Sequence, residues 1–227
     1  MSQPNFPLFY LRNDVKEQLL LTSSVRGVCR LWRGLRNAGA AYNLVFECVT
    51  AKEQIATSCA LMGDRCLIIG DSRGGISIFR WRHDSGQIAK VIFTSGPHIF
   101  SLPSTDTYQH NPAKEDVPAD LPKRLSLDTY IPHAHGSDLV SNIREDCDGG
   151  GFYSIGHDGF FCIFSSAGRL ISKLKCLPIK SPDKIFVVGS GKEKSYYIGG
   201  FLGGLYLVYD IRRGYQLLRI EGGGWKR

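Results

Sequence analysis

Ser72 is a residue whose type and spacing could do chemistry, because it stands in the run GDSRG (residues 70–74). A Gly-x-Ser-x-Gly run forms the nucleophile elbow of many hydrolases, where a strand turns into a helix and exposes the serine. Residues 75–81 (GISIFRW) instead continue with the alternation of a strand. We therefore expect Ser72 to lie in a hairpin turn, and we assign the chain no catalytic residue.

Three other patterns could also carry chemistry. His135, Ser141 and Asp158 have the residue types of a hydrolase triad, and His133 with His135 could bind a metal. No third ligand lies close to the two histidines, and the seven cysteines include no Cys-x2-Cys pair, so we expect no metal site. Residues 187–195 (VVGSGKEKS) lack the first glycine and the Ser or Thr of a phosphate loop, which favours a polar hairpin turn.

The composition is typical of a soluble globular chain. Of the 227 residues 43% are hydrophobic, and no apolar run reaches the roughly 20 residues of a transmembrane helix. Residues 1–10 lack the basic and apolar regions of a secretory signal. Several of the seven cysteines fall inside apolar runs, which fits thiols in the core and a reducing compartment. We expect a cytoplasmic protein without membrane contact.

The charge is basic overall, with 28 Lys and Arg against 21 Asp and Glu and a net charge of +7. This balance favours an anionic partner, nucleic acid first, through phosphate contacts and counterion release. Solubility alone is the alternative explanation.

Short apolar runs rich in branched and aromatic residues, bounded by Gly, Asp and Ser, predict strands and hairpins. No long stretch has the 3.6-residue period of a helix, so the predicted fold class is all-β. The runs are residues 18–24, 28–32, 66–69, 76–81, 152–155, 160–164 and 205–209.

One hairpin recurs four times along the chain. In each copy a turn glycine opens the second strand, and an aromatic residue stands five positions later. The pairs are Gly27 and Trp32, Gly74 and Phe79, Gly159 and Phe164, and Gly204 and Tyr209. The glycines are 47, 85 and 45 residues apart, and a four-stranded propeller blade takes roughly 40–45 residues. We predict a partial β-propeller of about four blades that does not complete a ring.

The 85-residue interval equals one blade plus an insertion. Residues 96–132 hold six of the ten prolines, and proline blocks ladder pairing, so we expect a surface loop there. It would separate N-terminal blades in residues 1–95 from C-terminal blades in residues 133–227. A propeller without closure exposes a sheet edge, which predicts poor stability or self-association of the isolated chain.

The hairpins resemble WD repeats. In the third unit, His135, Ser141 and Asp158 match the structural hydrogen-bond set of that repeat, although Phe164 replaces its tryptophan. The resemblance implies that a buried Asp158 carboxylate ties the imidazole and the hydroxyl together and fixes the turn.

A more specific resemblance is to the WD-repeat protein 6 family, the non-catalytic regulators of the tRNA ribose methyltransferase that acts at the wobble nucleotide. Residues 199–227, HAHG (133–136) and YSIGHDG (153–159) carry it. It implies an adaptor that binds tRNA and an FtsJ-like tRNA ribose methyltransferase. The methyl donor S-adenosylmethionine would belong to that enzyme, and this chain would need no cofactor and no small-molecule substrate. Members of the family are several times longer.

Basic side chains on the repeat turns are the candidates for RNA contact, since planar arginine donors suit phosphates and stacked bases. A generic WD-repeat scaffold that joins proteins without RNA is the alternative function. The predicted RNA-binding residues are Arg26, Arg33, Arg73, Arg82, Arg212, Arg213, Lys226 and Arg227.

Overall fold

The computed structural model describes residues 8–13, 17–35, 42–63, 66–81 and 124–222. These residues form sixteen strands in four antiparallel sheets of four strands each, and every sheet is a meander in chain order. The described residues contain no α-helix, only the single 3-10 turns Ala51–Glu53 and Gly191–Glu193. The predicted all-β class with about four blade units is confirmed.

The bounds of the strands follow the chain sheet by sheet. Sheet 1 contains β1 Leu8–Asn13, β2 Glu17–Ser23, β3 Val28–Leu35 and β4 Tyr42–Val49. Sheet 2 contains β5 Ala56–Met62, β6 Cys66–Asp71, β7 Ile76–Arg80 and β8 Thr129–Ile131. Sheet 3 contains β9 Val140–Glu145, β10 Phe152–Gly156, β11 Phe160–Phe164 and β12 Leu170–Lys175. Sheet 4 contains β13 Ser181–Val188, β14 Ser195–Leu202, β15 Leu205–Asp210 and β16 Tyr215–Glu221.

The sheets stack face to face in chain order, and an apolar core fills each of the three spaces between neighbours. We call the face toward the preceding sheet the first face and the opposite one the second face. Between sheets 1 and 2 lie Leu21, Leu31 and Phe46 on one side and Leu67 and Phe79 on the other. Inner strands are therefore buried on both faces, which explains why β6 (CLIIGD) is buried at every position.

Aromatic rings dominate the two cores around sheet 3. Phe152 and Phe164 stack with their centroids 4.8 Å apart in the core shared with sheet 2. On the second face of the sheet, Tyr153 and Phe161 both contact the ring of Tyr196 from sheet 4, with centroids 5.3 Å apart in each case. Such pairs each add about 0.5–1.5 kcal/mol beyond the burial of their area.

The four recurring aromatic residues occupy one equivalent place. Each lies on the third strand of its sheet, and Phe79, Phe164 and Tyr209 pack on the core toward the preceding sheet. Trp32 has the same position on the first face of sheet 1, where it pairs with Leu20 and donates its indole hydrogen bond to Thr22 at 2.9 Å. The recurring interval thus marks the first face of every sheet.

Gly204 directly precedes β15, as predicted, but the turn of sheet 4 differs from the other three in its left-handed residue. Gly27, Gly74 and Gly159 have positive φ values of 69°, 77° and 76°, but in sheet 4 the left-handed residue is Gly203, at 62°, and not Gly204. Leu202 pairs with Leu205, so this turn has only two residues, Gly203 and Gly204.

The stack does not close into a ring. No core cluster of the described residues joins sheet 4 to sheet 1, so within this part of the chain no sheet packs on the first face of sheet 1 or on the second face of sheet 4. Within residues 8–222 as described, no helix has the length and apolar character needed to cross a membrane.

The predicted insertion ends earlier than expected. Thr129–Ile131 (β8) falls inside the range 96–132 but pairs with β7 as the fourth strand of sheet 2. A short strand of three residues gives no alternation from which to recognise it. The prolines at 97, 103, 112, 118 and 122 lie outside the described residues.

Most thiols are core residues, as predicted. Five of the seven free cysteines are buried and Cys59 is half-buried, whereas Cys147 is exposed in the β9–β10 turn. Burial raises the pKa of the Cys66 thiol to about 11, which keeps it protonated near neutral pH.

Candidate binding surface

Antiparallel pairing places the turns of every sheet alternately at two ends. One end carries the turn between the second and third strands and also the connection from each sheet to the next. We call it the inter-sheet end. The other, the hairpin end, carries the two remaining turns of each sheet.

One backbone hydrogen bond recurs at the inter-sheet end of sheets 1, 2 and 3. In each case the carbonyl of the turn glycine accepts from an amide of the connection to the next sheet. The bonds run from Thr50 to Gly27 at 2.9 Å, from His135 to Gly74 at 3.0 Å, and from Cys176 to Gly159 at 2.8 Å. The turns and the connections therefore form one hydrogen-bonded surface.

Short polar side chains fix two of these turns. Ser24 Oγ accepts from the amide of Val28 at 3.1 Å, and Asp71 Oδ1 accepts from the amide of Gly75 at 2.9 Å. The hydroxyl in sheet 1 and the carboxylate in sheet 2 thus both accept from the backbone amide four residues later. Burial raises the pKa of Asp71, whose side chain is fully buried.

A buried network fixes the turn of sheet 3. His135 Nδ1 lies 2.8 Å from Asp158 Oδ1, and His135 Nε2 lies 2.7 Å from Ser154 Oγ. Because the carboxylate only accepts, Nδ1 carries a proton, and in the neutral imidazole Nε2 accepts from the Ser154 hydroxyl. Asp158 Oδ1 also accepts from the amide of Phe160 at 3.2 Å. The network ties the connection from sheet 2 to the turn of sheet 3.

The hydroxyl of this network belongs to Ser154, so the assignment of Ser141 was wrong. Ser141 Oγ donates to the carbonyl of Pro182 at 2.6 Å and thereby links sheets 3 and 4. Ser154 lies on the first face of β10 opposite Cys162, directly beneath the imidazole. The polar residue in the otherwise apolar strand FYSIG was the available signal.

The order Asp158, His135, Ser154 has the connectivity of a catalytic triad, but the serine and the histidine are shielded. Both have 0% of their surface exposed, so a substrate carbonyl has no path to Ser154 Oγ. Ser72 lies in the β6–β7 turn and is followed by a strand, as predicted. Residues 189–194 form the predicted polar turn between β13 and β14.

Exposed basic side chains project from the inter-sheet end. On its described turns and connections they outnumber the exposed carboxylates, which are Glu53 and Asp138. The exposed basic groups are Arg26, Lys52, Arg73, His133, His157 and Lys180. This end therefore combines turns held by hydrogen bonds with exposed arginine and lysine side chains, an arrangement suited to anionic partners.

Lys173 extends the basic surface along β12. Its ammonium lies 4.4 Å from the centre of the Phe160 ring and 3.5 Å from Asp158 Oδ2. Burial alone would raise the pKa of Asp158, but the hydrogen bond of His135, the amide of Phe160 and the charge of Lys173 together hold it below its ordinary value.

The predicted RNA-binding residues do not share one surface. Arg26 and Arg73 lie at the inter-sheet end, whereas Arg212 and Arg213 lie in the β15–β16 turn at the hairpin end. Arg212 is also engaged within the fold, since its guanidinium lies 4.9 Å from the centre of the Tyr196 ring. Successive turns of a sheet lie at opposite ends, so the arginines of the β2–β3 and β6–β7 turns are far from those of the β15–β16 turn. The spacing of the residues in the sequence does not indicate which end a turn occupies. Arg33 is half-buried within β3, and Arg82, Lys226 and Arg227 lie outside the described residues.

A buried lysine joins sheets 3 and 4 at the hairpin end. The Lys194 ammonium contacts Asp146, lies 3.3 Å from Asp148 Oδ2, and lies 3.3 Å from the hydroxyl of Tyr153. Burial alone would lower the pKa of Lys194, but the hydrogen bond and charge of Asp146 raise it above its ordinary value. Lys194 therefore stays charged and holds the two sheets together.

We expect Lys194→Met to lower the free energy of unfolding by about 2 kcal/mol, because it leaves a half-buried carboxylate without its cation. Urea unfolding at pH 7 measures the loss, and Lys192→Met, at an exposed position of the same turn, is the matched control. Burial would raise the pKa of Asp146, but Lys194 holds it low, so this stabilisation is present above about pH 4 and is lost as the carboxylate protonates below that. A loss that persists unchanged in acid would contradict the assignment.

Comparisons with known proteins identify no family for this chain. No protein-family model and no curated protein matches the chain. Among solved structures, the WD40 domain of Pan2 from Neurospora crassa is similar to it, with a TM-score of 0.43 and 13% sequence identity. The similarity covers 74% of this chain and 38% of that one, so the chain spans well under half the length of the matched structure.

Proposed function

We propose that the chain is a non-catalytic binding module that holds a tRNA and an FtsJ-like ribose methyltransferase together, so that the wobble ribose is methylated. The observation that carries the RNA part is the basic inter-sheet end. Its turns are fixed by repeated hydrogen bonds, and the exposed side chains of Arg26, Lys52 and Arg73 form no ion pair with a carboxylate of the described residues. Such tips grip phosphates by charge and shape, as structured RNA requires.

The contribution to catalysis would be orientation. The chain would hold the anticodon arm so that one ribose hydroxyl reaches the active site of the enzyme, and fixed orientation can supply several kcal/mol of a reaction barrier. The methyl donor and the reacting groups would all belong to the partner. Purified FtsJ-like enzyme with S-adenosylmethionine and tRNA should then methylate the wobble ribose faster when the chain is added.

Salt-dependent tRNA binding tests the RNA part. We expect the logarithm of the association constant to fall linearly with the logarithm of the salt concentration. Arg26→Ala with Arg73→Ala should reduce the slope by about 2, because each phosphate contact accounts for about 1. Fluorescence anisotropy of labelled tRNA at several KCl concentrations measures both values.

The matched control uses the hairpin end. Arg169→Ala with Lys192→Ala removes the same charge from exposed positions of the β11–β12 and β13–β14 turns, and we expect the wild-type slope. Equal slopes for all three proteins would exclude the inter-sheet end as the RNA surface. A wild-type slope near zero would favour the second candidate, a scaffold that joins proteins without RNA.

The scaffold has its own supporting observation. The second face of sheet 4 exposes large apolar side chains, including Phe201 at 47% and Ile220 at 49% of their surface. Contiguous apolar surface of this kind is typical of protein contacts rather than of RNA contacts.

A further inference from the structure

Residues 124–128 cross from the last strand of sheet 1 to the last strand of sheet 2 and carry an exposed serine, Ser126. The segment is attached to sheet 1 at its beginning. Arg124 forms a parallel bridge with Glu47 of β4, and the amide of Leu125 donates to the carbonyl of Glu47 at 2.8 Å. The side chain of Leu125 packs on the core between sheets 1 and 2.

The segment is attached to sheet 2 at Asp128. The amide of Asp128 donates to the carbonyl of Ile78 at 3.0 Å, and its carboxylate forms an ion pair with Arg80. Between the two attachments Ser126 and Leu127 are both exposed and belong to no strand. Neither forms a hydrogen bond with another described residue. The serine therefore lies in open backbone that is fixed on both sides.

Basic side chains directly precede this serine in the run KRLSLD (residues 123–128). Protein kinases select substrates by the pattern of charge around the accepting hydroxyl. The side chain of Arg124, two positions before Ser126, is exposed and forms no ion pair with a carboxylate of the described residues. Its guanidinium is thus available for a charge-assisted hydrogen bond to a carboxylate of an enzyme.

Two other described serines follow a basic residue by three positions, but the fold protects them. Ser172 follows Arg169, and Ser195 follows Lys192. Both are half-buried, and both pair with a neighbouring strand in the ladders of β12 and β14. An enzyme that binds either one must first detach a strand and leave its backbone groups unpaired. Ser126 requires no such rearrangement.

We propose that Ser126 is a phosphorylation site for a protein kinase that recognises basic residues on the N-terminal side of serine. The kinase transfers the γ-phosphoryl group of ATP: a bond forms between phosphorus and Ser126 Oγ, the bond from phosphorus to the ADP oxygen breaks, and the hydroxyl proton is released. The phosphate would lower the net charge of +7 by about 2 near neutral pH. This inference does not depend on tRNA binding.

Phosphorylation of the folded chain by the catalytic subunit of cAMP-dependent protein kinase, a kinase of this class, tests the site. With ATP and Mg²⁺ we expect phosphate on Ser126, located by mass spectrometry of tryptic peptides. Mapping to single residues is needed because Ser85, three positions after Arg82, lies outside the described residues. Ser126→Ala should remove this phosphate, and circular dichroism checks that each variant is folded.

Two arginine variants test how the site is recognised. Arg124→Ala should lower the initial rate at Ser126 about tenfold, the effect of losing one charge-assisted contact. Arg169→Ala removes the same charge before Ser172 and should leave that rate unchanged. A chain that accepts no phosphate on Ser126 would overturn the proposal. So would an Arg124→Ala protein that reacts as the wild type does, or phosphate on Ser172 or Ser195 at the rate of Ser126, because neither charge nor exposure would then select the site.

Discussion

Asp158→Ala should lower the free energy of unfolding by about 3 kcal/mol, the largest loss we expect from removing one polar side chain. The substitution leaves the fully buried His135 without the partner of its Nδ1 proton and removes the acceptor for the amide of Phe160. An unpaired buried polar group costs about 1–3 kcal/mol, and more when a charge is involved. Urea unfolding followed by circular dichroism measures the change.

The dependence on pH gives this prediction a specific signature. Because the pKa of Asp158 is lowered in the folded chain, the carboxylate contributes stability that is fully present above its unfolded pKa of about 4. That stability is lost as the pH falls through the lower folded value. The wild type and Asp158→Ala should therefore differ most near neutral pH and converge in acid.

Two variants separate the network from general effects of the region. Ser154→Ala removes only the hydroxyl on His135 Nε2 and should cost about 1 kcal/mol. Asp138→Ala removes an exposed carboxylate three residues from His135 and should change stability by less than about 0.5 kcal/mol. If Asp138→Ala were as damaging as Asp158→Ala, the network would not be the source of the loss.

The inner hairpin of each sheet could be predicted from the sequence because its strands are buried on both faces. Cys66–Asp71 and Phe160–Phe164 are nearly continuous apolar runs, and the glycine between such runs marks the turn. The outer strands give a weaker signal. Leu170–Lys175 is mostly exposed and mixes lysine with leucine, and Tyr215–Glu221 is exposed at every position. Their pairing is decided by the neighbouring strand rather than by their own composition.

The site was only partly predictable for a related reason. His135 and Asp158 are 23 residues apart and meet because the connection from sheet 2 crosses the turn of sheet 3. A serine on either of two strands could satisfy the imidazole, and only the register of β10 selects Ser154 over Ser141. The separation of Arg73 from Arg212 likewise depends on which end each turn occupies, a property of the whole meander.

Gly74→Ala should also lower the free energy of unfolding by about 3 kcal/mol, for a reason that a second glycine can isolate. The φ of Gly74 is 77°, and a left-handed conformation costs a residue with a Cβ about 1–2 kcal/mol. A Cβ at this position would also stand 2.8 Å from the carbonyl oxygens of Gly136 and Asp138. These are backbone atoms of the connection to sheet 3, so relief requires the connection to move.

Gly159→Ala is the matched control, because Gly159 has the same place in the turn of sheet 3 and a φ of 76°. Its Cβ would meet no atom within 4 Å, so only the conformational cost of about 1 kcal/mol remains. The difference between the two variants in the free energy of unfolding measures the cost of the steric contact between the connection and the turn of sheet 2. Because the amide of His135 donates to the carbonyl of Gly74 at 3.0 Å, its hydrogen exchange should accelerate in Gly74→Ala and not in Gly159→Ala. If Gly74→Ala and Gly159→Ala lost the same stability, the connection between sheets 2 and 3 would move away from the added Cβ at little cost. The inter-sheet end would then not be the rigid surface that the binding proposal requires.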